Sequence, residues 1–190
     1  MSRVLLFHKP KGVVVSRSDE LGRKTVYDAL PDWVQTEGWV PVGRLDRDTR
    51  GLLLFVQDRS LVDPLTSPGS VPKTYEVWLR GRLTPSHIRE IRRGVDSPVG
   101  ILRCQNVTPL GTAGPKQRVQ VVLDEGKNRH IRRMFGTLKD EVHGTPLKVL
   151  DLKRIQFGPV SLDVPSGAWR FLTDAEVEEL LHPHRTRKKA

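Results

Sequence analysis

The chain has 190 residues, 37% of them hydrophobic and 28% charged, and its 32 Lys and Arg residues against 22 Asp and Glu residues give a net charge of +10. This composition predicts a globular protein of one domain, or of two small lobes sharing a core, and no apolar run approaches the length of a membrane span. The positive charge favours nucleic acid as the partner, with an anionic membrane surface second. The single cysteine, Cys104, excludes an internal disulfide framework and a thiolate zinc cluster, and the cytoplasm is the expected compartment.

The first half of the chain alternates short apolar runs with turn-forming residues. The expected strands are residues 4–7, 13–15 and 52–56, and the expected helices are residues 25–30 and 60–65. The basic loop His8-Lys9-Pro10-Lys11-Gly12 separates the first two strands, and Pro31 is expected to stop the first helix.

The second half contains clearer signals for helix ends. The expected strands are residues 73–79, 99–107, 117–123 and 147–155, and the expected helices are residues 84–94, 128–138 and 173–181. Thr84 suits an N-cap and Gly94 a C-terminal stop, while Thr173 and Glu176 form a capping box. Strands outnumber helices and short turns join them, which indicates the α+β class with a largely antiparallel sheet.

The chain ends in a basic tail, residues 183–190, which contains little that a core would bury. We expect this tail to be disordered in the absence of RNA, with residues 1–182 forming the folded domain.

Asp46 lies in a polar turn that leads through Gly51 into the apolar strand 52–56, with Arg44 and Arg47 close to it in the sequence. A carboxylate beside a cation stays ionised, so Asp46 could act as a nucleophile or general base on an anionic substrate. The alternative is a solvated turn in which Asp46 only caps the backbone.

A second basic segment opens the helix at 128–138, where Lys127, Arg129, Arg132 and Arg133 are close in sequence. Basic side chains at a helix start can hold phosphate, although a solvated basic face is the alternative. Tyr75, on the strand 73–79, is either an amphipathic core residue or a ring that stacks on a nucleobase.

Two further lysines, Lys9 and Lys11, flank Pro10 in the first basic loop. They are candidate phosphate contacts, and ordinary loop lysines are the alternative.

Other chemistries have no matching pattern. The histidines show no metal-ligand spacing, and the sequence has no P-loop, no Gly-x-Ser-x-Gly nucleophile elbow and no dinucleotide-binding fingerprint.

The residues from Gly43 to Leu54, Gly-Arg-Leu-Asp-Arg-Asp-Thr-Arg-Gly-Leu-Leu-Leu, closely resemble the catalytic motif of RNA pseudouridine synthases. Further motifs follow in the order found in the branch named for the small-subunit ribosomal RNA enzyme. They are His8 to Gly12, Lys73-Thr74-Tyr75, Glu125-Gly126-Lys127 with Ile131 to Phe135, and Leu152 to Ile155. The resemblance covers about residues 4 to 181.

This resemblance implies an α+β catalytic domain with a mixed, mainly antiparallel sheet and a central basic cleft. It also implies isomerisation of uridine to pseudouridine in RNA, with no cofactor and no metal. We expect the protein to be a monomer. Asp46 would be the catalytic carboxylate, Arg132 its ion-pair partner, and Tyr75 the ring that stacks on uracil. Arg44 would aid extrusion of the nucleotide. The expected phosphate contacts are Lys9, Lys11, Lys73, Lys127 and Arg129.

Three features depart from the family pattern. We expect the S4-like RNA-binding domain that many members carry before the Lys-Pro-Lys-Gly motif to be missing. Asp58-Arg59 replaces the usual Asp-Gly, and His130 replaces a common glutamine. The first departure favours large-subunit (23S) ribosomal RNA as the substrate, with transfer RNA second. A non-catalytic RNA-binding or ribosome-assembly protein and a hydrolytic RNA N-glycosylase are the alternatives from other classes.

Overall fold

The structure is a computed structural model that describes residues 2–183. It contains two compact units, one formed by the chain up to Ser67 together with the segment from Arg154 onward (unit 1) and one formed by Pro68–Lys153 (unit 2). The basic tail beyond residue 183 lies outside the described residues.

Short strands and a few short helices make up both units. In chain order the elements are β1 (Val4–Lys9), α1 (Asp32–Thr36), β2 (Val40–Pro41), β3 (Arg50–Val56), a 3₁₀ turn (Arg59–Leu61), α2 (Val62–Thr66), β4 (Lys73–Arg80), α3 (Pro85–Arg93), β5 (Asn106–Ala113), β6 (Lys116–Leu123), α4 (His130–Gly136), β7 (Lys148–Phe157), β8 (Val160–Ser161), β9 (Trp169–Phe171) and α5 (Asp174–Leu181). None of the helices in the described part of the chain has the length and apolarity that crossing a bilayer requires.

Unit 1 is organised around β1 and β3, whose residues from Val4 to Phe7 and from Gly51 to Val56 are all buried. The two strands pair antiparallel with Val4 opposite Val56 and Lys9 opposite Gly51. β9 pairs with β1, β2 with β3, and β8 with the end of β7, and these pairs are antiparallel as well. The two strands therefore form a rigid base for the segment that precedes β3.

Unit 2 has the strand order β5, β6, β4 and then the first part of β7. Val77 and Leu79 on β4 and Val119 and Val121 on β6 enter one apolar core, together with buried residues of α3 and α4. Cys104 is partly buried and packs against this core, and burial raises the pKa of its thiol to about 11.

The α+β class and the mainly antiparallel sheet are confirmed. The caps also appear where the sequence predicts them: Thr84 caps α3 in a box with His87, and Thr173 caps α5 in a box with Glu176. The side chain of Glu176 additionally pairs with Arg170 of β9 at 2.7 Å, which attaches α5 to the sheet of unit 1.

Two predicted elements in the first half of the chain are wrong. Residues 13–15 form only an isolated bridge, Val14 to Thr25, because the flanking side chains of Val13 and Val15 anchor a loop. Residues 25–30 form a series of turns, and the helix α1 begins after Pro31 instead of ending there.

The strand predicted at 99–107 lies at Asn106–Ala113 instead. Gly111 lies beside a register shift within β5, so this strand is irregular.

Candidate active site

Asp46 lies in the turn between β2 and β3, a segment held in place by buried neighbours on both sides. Leu45 is 6% exposed and Thr49 is 2% exposed, whereas Asp46 is half-buried and Arg44 is exposed. The backbone N–H of Thr49 donates to the Asp46 carbonyl at 3.0 Å, which closes the turn. The buried side chains of Leu45 and Thr49 thus anchor the turn, and Asp46 between them is only partly buried.

Gly51 fixes the point where this turn joins β3. Its φ is +116°, and a Cβ at this position would collide with the backbone of Arg154. Arg154 is buried and its Nε donates to the carbonyl of Leu52 at 2.7 Å. Only glycine permits this close approach of β3 and β7, so backbone packing fixes the position at which the Asp46 turn ends.

Lys9 is the last residue of β1 and is fully buried, at 0% exposure. Its Nζ donates to the carbonyl of Pro10 at 2.9 Å and to the carbonyl of Arg47 at 3.4 Å. The same Arg47 carbonyl accepts the N–H of Gly12 at 2.8 Å. Two residues of the Lys-Pro-Lys-Gly loop therefore hold the Asp46 turn by hydrogen bonds to a single acceptor, the carbonyl of Arg47, the residue after Asp46.

This burial changes the interpretation of Lys9 as a phosphate contact, because a phosphate contact needs an ammonium group that solvent reaches. Burial lowers the pKa of Lys9 to about 8, against the attraction of Asp48 and Asp46. Lys73, at the start of β4, is also buried, at 8% exposure, whereas Lys11 is exposed. The signal for Lys9 in the sequence was the apolar run from Val4 to Phe7, because β1 continues from it through His8 to Lys9.

We expect Lys9→Met to reduce turnover about tenfold while leaving the free energy of unfolding within about 1 kcal/mol at neutral pH, because a buried ammonium is costly to desolvate. The pKa of Lys9 is about 8 in the folded protein and 10.5 in the unfolded chain. Between these pH values the unfolded chain binds the proton more tightly than the folded protein does, so the free energy of unfolding of wild type rises with pH. The stability difference, wild type minus Lys9→Met, should therefore rise from pH 8 to pH 10.5.

Urea unfolding at several pH values measures this difference. Lys11→Met, on the exposed neighbour, is the matched control and should leave the pH dependence of wild type unchanged. A Lys9→Met difference that stays flat across the window would contradict the burial of a titrating lysine at this position.

In unit 2, Tyr75 lies on β4 opposite Val121 of β6. Its ring is half-buried and packs against the apolar core of the unit, on the same face of the strand as Val77. A ring with one side fixed by packing and another side open has the form that stacking on a base requires.

The basic segment before α4 adopts an unusual backbone. Arg129 has φ +50° and ψ +37°, and it is the one non-glycine among residues 2–183 with positive φ. The Nζ of Lys127 donates to the carbonyl of Ile101 at 2.7 Å and pairs with Glu125 at 3.9 Å. On α4, Arg133 is tied back to Asn128 through its Nε and Nη2, each at 3.1 Å.

His130 links this segment to the neighbouring loop, a role that was not predicted for it, although it departs from the family pattern. It is 4% exposed, and its Nε2 lies 2.7 Å from the carbonyl of Arg103, so Nε2 is the donor. Nδ1 then accepts the N–H of Lys127 at 3.4 Å. The neutral imidazole thus uses both nitrogens to connect two loops, and the departure from the family glutamine was its signal in the sequence.

We expect His130 to make stability depend on pH. Burial lowers its pKa below the ordinary 6.5, against the hydrogen bond to the Arg103 carbonyl. The unfolded chain is therefore protonated first, and the free energy of unfolding should fall as the pH drops below 6.5. His130→Gln should flatten this decline, since an amide offers a donor and an acceptor without titrating.

Unfolding curves between about pH 5 and pH 7.5 test this, with His143→Gln as the control, because His143 is exposed. An equally steep decline in wild type and His130→Gln would show that His130 does not titrate as described.

The predicted residues fall into two groups. Asp46, Arg44, Lys9 and Lys11 belong to unit 1, and the remaining ones, Tyr75, Arg132, Lys73, Lys127 and Arg129, belong to unit 2. Within residues 2–183, no three His, Cys, Asp or Glu side chains cluster as a metal site would need.

Solved structures have a similar fold, and known proteins have a similar sequence. Among solved structures, one described as a pseudouridylate synthase matches with a TM-score of 0.75 and 26% identity, covering 95% of this chain and 74% of that one. The fold is therefore that of a pseudouridine synthase. The family model described as RNA pseudouridylate synthase matches residues 3–137, and the chain belongs to this family.

The names of similar proteins agree with this family assignment. Ribosomal large subunit pseudouridine synthase B of Vibrio cholerae serotype O1 is 38% identical over 181 residues, which are 94% of this chain and 54% of that protein. The protein of the same name from Haemophilus influenzae is 36% identical over 170 residues, 88% of this chain and 45% of that protein. The chain thus spans about half the length of these relatives.

Proposed function

We propose that this protein isomerises a uridine of large-subunit ribosomal RNA to pseudouridine, with Asp46 as the catalytic carboxylate. The observation that carries the proposal is the Asp46 turn: a half-buried carboxylate on a segment fixed by Lys9, Gly51 and Thr49. Membership of the family and the names of the relatives support the reaction and the class of RNA.

The reaction breaks the bond between ribose C1′ and uracil N1, turns the base and joins C1′ to C5. The proton on C5 is lost and N1 gains one, so no atom is added and no electron is exchanged. The proposal accordingly assigns no cofactor and no metal. Asp46 either attacks C1′ or removes the 2′ proton, and both routes begin from the ionised carboxylate.

The other predicted residues take supporting roles in this proposal. Arg132 is the ion-pair partner that keeps Asp46 ionised until reaction. Tyr75 stacks on the uracil and assists loss of the C5 proton, and Arg44 aids extrusion of the nucleotide from its helix. The exposed Lys11 and Arg129, together with Lys127, contact phosphates along a basic cleft. The cytoplasmic location and the monomeric state expected from the sequence belong to the same proposal.

Mapping of pseudouridines in total RNA from cells with and without this protein tests the proposal. We expect a uridine of large-subunit ribosomal RNA to remain unmodified in the cells that lack it. Loss of a pseudouridine from transfer RNA alone would redirect the proposal to that substrate. Identical maps would favour a non-catalytic RNA-binding or assembly role.

A further inference from the structure

The sheet of unit 2 has a second face, opposite to the one that covers the apolar core. Successive residues of a strand point to opposite faces, so Trp78 and Arg80 lie on the side away from Val77 and Tyr75. Trp78 is directly opposite Arg118 of β6, and Arg80 is opposite Lys116. This face therefore places one indole ring among three cations.

A groove opens on this face beside the indole. It encloses about 360 Å³ and is lined by Trp78, Ala113, Lys116, Leu150 and Asp151. Trp78 is half-buried, and Ala113 and Lys116 are exposed. The groove is therefore open to a ligand from solvent while one part of the ring is held by the sheet.

Arg82 fixes one wall of the groove. Its Nη1 donates to the carbonyl of Lys116 at 3.0 Å and its Nη2 to the carbonyl of Gly114 at 2.7 Å, which ties down the turn between β5 and β6. The backbone N–H of Arg82 is itself bonded to Asp140 at 3.0 Å. The turn that carries Lys116 is thus held in position before any ligand binds.

The chemistry of this face suits single-stranded RNA. Proteins bind such strands with aromatic rings on which bases stack and with nearby cations that follow the phosphates. Side chains directly opposite on paired strands are about 5 Å apart, and diagonal ones about 7 to 8 Å, so Arg118 and Lys116 flank the ring closely. Glu76 and Asp151 also lie at this face, and the three cations outnumber them.

We propose that the groove at Trp78 is a second RNA-binding site, which takes a single-stranded segment of the substrate remote from the reacting uridine. This proposal rests on the proposed function for the identity of the RNA. Tyr75 and Trp78 project from opposite faces of β4, so an RNA that engages both must pass around the edge of the sheet at β5. It crosses β6 and β5 on each face, about 10 Å per face at the usual strand spacing. A short RNA hairpin can bind at only one face of the sheet, whereas a long ribosomal RNA segment can contact both faces.

The test compares two RNAs: a short stem-loop that carries the target uridine, and a long fragment in which single strands flank the same stem-loop. Trp78→Ala should raise the Kd for the long fragment about tenfold, the usual effect of losing one stacked base, and leave the Kd for the stem-loop unchanged. Trp78→Phe, which keeps an aromatic ring, should restore most of the affinity for the long fragment.

Arg118→Gln provides a second variant that needs no change in the aromatic ring. It should weaken binding of the long fragment and lower the slope of log affinity against log salt by about 0.7 units. Arg89→Gln is the charge-matched control, because Arg89 is exposed on α3, away from the groove, and it should leave the Kd for the long fragment unchanged.

Equal losses for the two RNAs, or no loss for either, would overturn the second site, and the latter result would leave the groove to a protein partner. The outcome is separable from the proposed function. If the stem-loop is bound but never converted, the proposed function fails, while the difference in Kd between the two RNAs still decides the groove.

Discussion

Asp46→Asn should abolish pseudouridine formation, with a fall in turnover of roughly 10⁴-fold or more, because the amide neither attacks C1′ nor removes a proton. The same change should leave the melting temperature within a few degrees of wild type. Asp46 is half-buried at the surface of its turn, and the turn is closed by the Asp46 backbone carbonyl, which asparagine retains. Thermal unfolding and a single-turnover assay on one preparation measure both quantities.

Asp48→Asn is the matched control, since Asp48 is half-buried in the same turn and carries the same charge. It should retain most of the activity. Full turnover in purified Asp46→Asn would exclude Asp46 as the catalytic carboxylate. A large loss of stability in that variant would instead make Asp46 a structural residue of the turn.

Arg132→Ala should lower the rate at saturating RNA by roughly 10²- to 10³-fold, the usual effect of losing one charged group that acts on the reacting centre. Arg133→Ala should mainly affect binding and stability. Neighbouring residues on a helix point about 100° apart. Arg133 is bonded to Asn128 at both Nε and Nη2, which directs its guanidinium toward the loop before α4.

The two variants are each other's control, because they remove the same side chain from adjacent positions of α4. Rate and Kd are measured separately for each. A large fall in rate for Arg133→Ala, with Arg132→Ala close to wild type, would reverse the two roles. Lys at position 132 should restore part of the rate, since it keeps the positive charge.

Much of the fold follows from local patterns in the sequence. The alternation of β4 correctly predicts which of its side chains enter the core, and Thr84 and Thr173 correctly mark the first turns of α3 and α5. These signals depend on residues near one another in the chain. The short β9 carries no such pattern, and it becomes a strand because Leu5 and Phe7 of β1 offer it a partner edge.

The candidate site likewise has features that the sequence predicts and features that appear only in the folded structure. The motifs make Asp46, Tyr75 and Arg132 the candidates because the residue types and their order are distinctive, but they do not show which cations are accessible. Lys9 lies in a basic loop by sequence, yet its pairing with Gly51 continues β1 and buries the ammonium beneath the Asp46 turn. Likewise, the bonds of His130 involve Arg103, which is distant in sequence.

The most direct measurement uses the purified protein and a large-subunit ribosomal RNA transcript labelled with tritium at C5 of its uridines. Isomerisation replaces the C5–H bond with the bond to C1′, so tritium enters water as pseudouridine forms. We predict tritium release matched one for one by pseudouridine in the digested RNA, and no release with Asp46→Asn. Release of free uracil would indicate an N-glycosylase, and the absence of both products with ribosomal and transfer RNA would contradict an isomerase centred on Asp46.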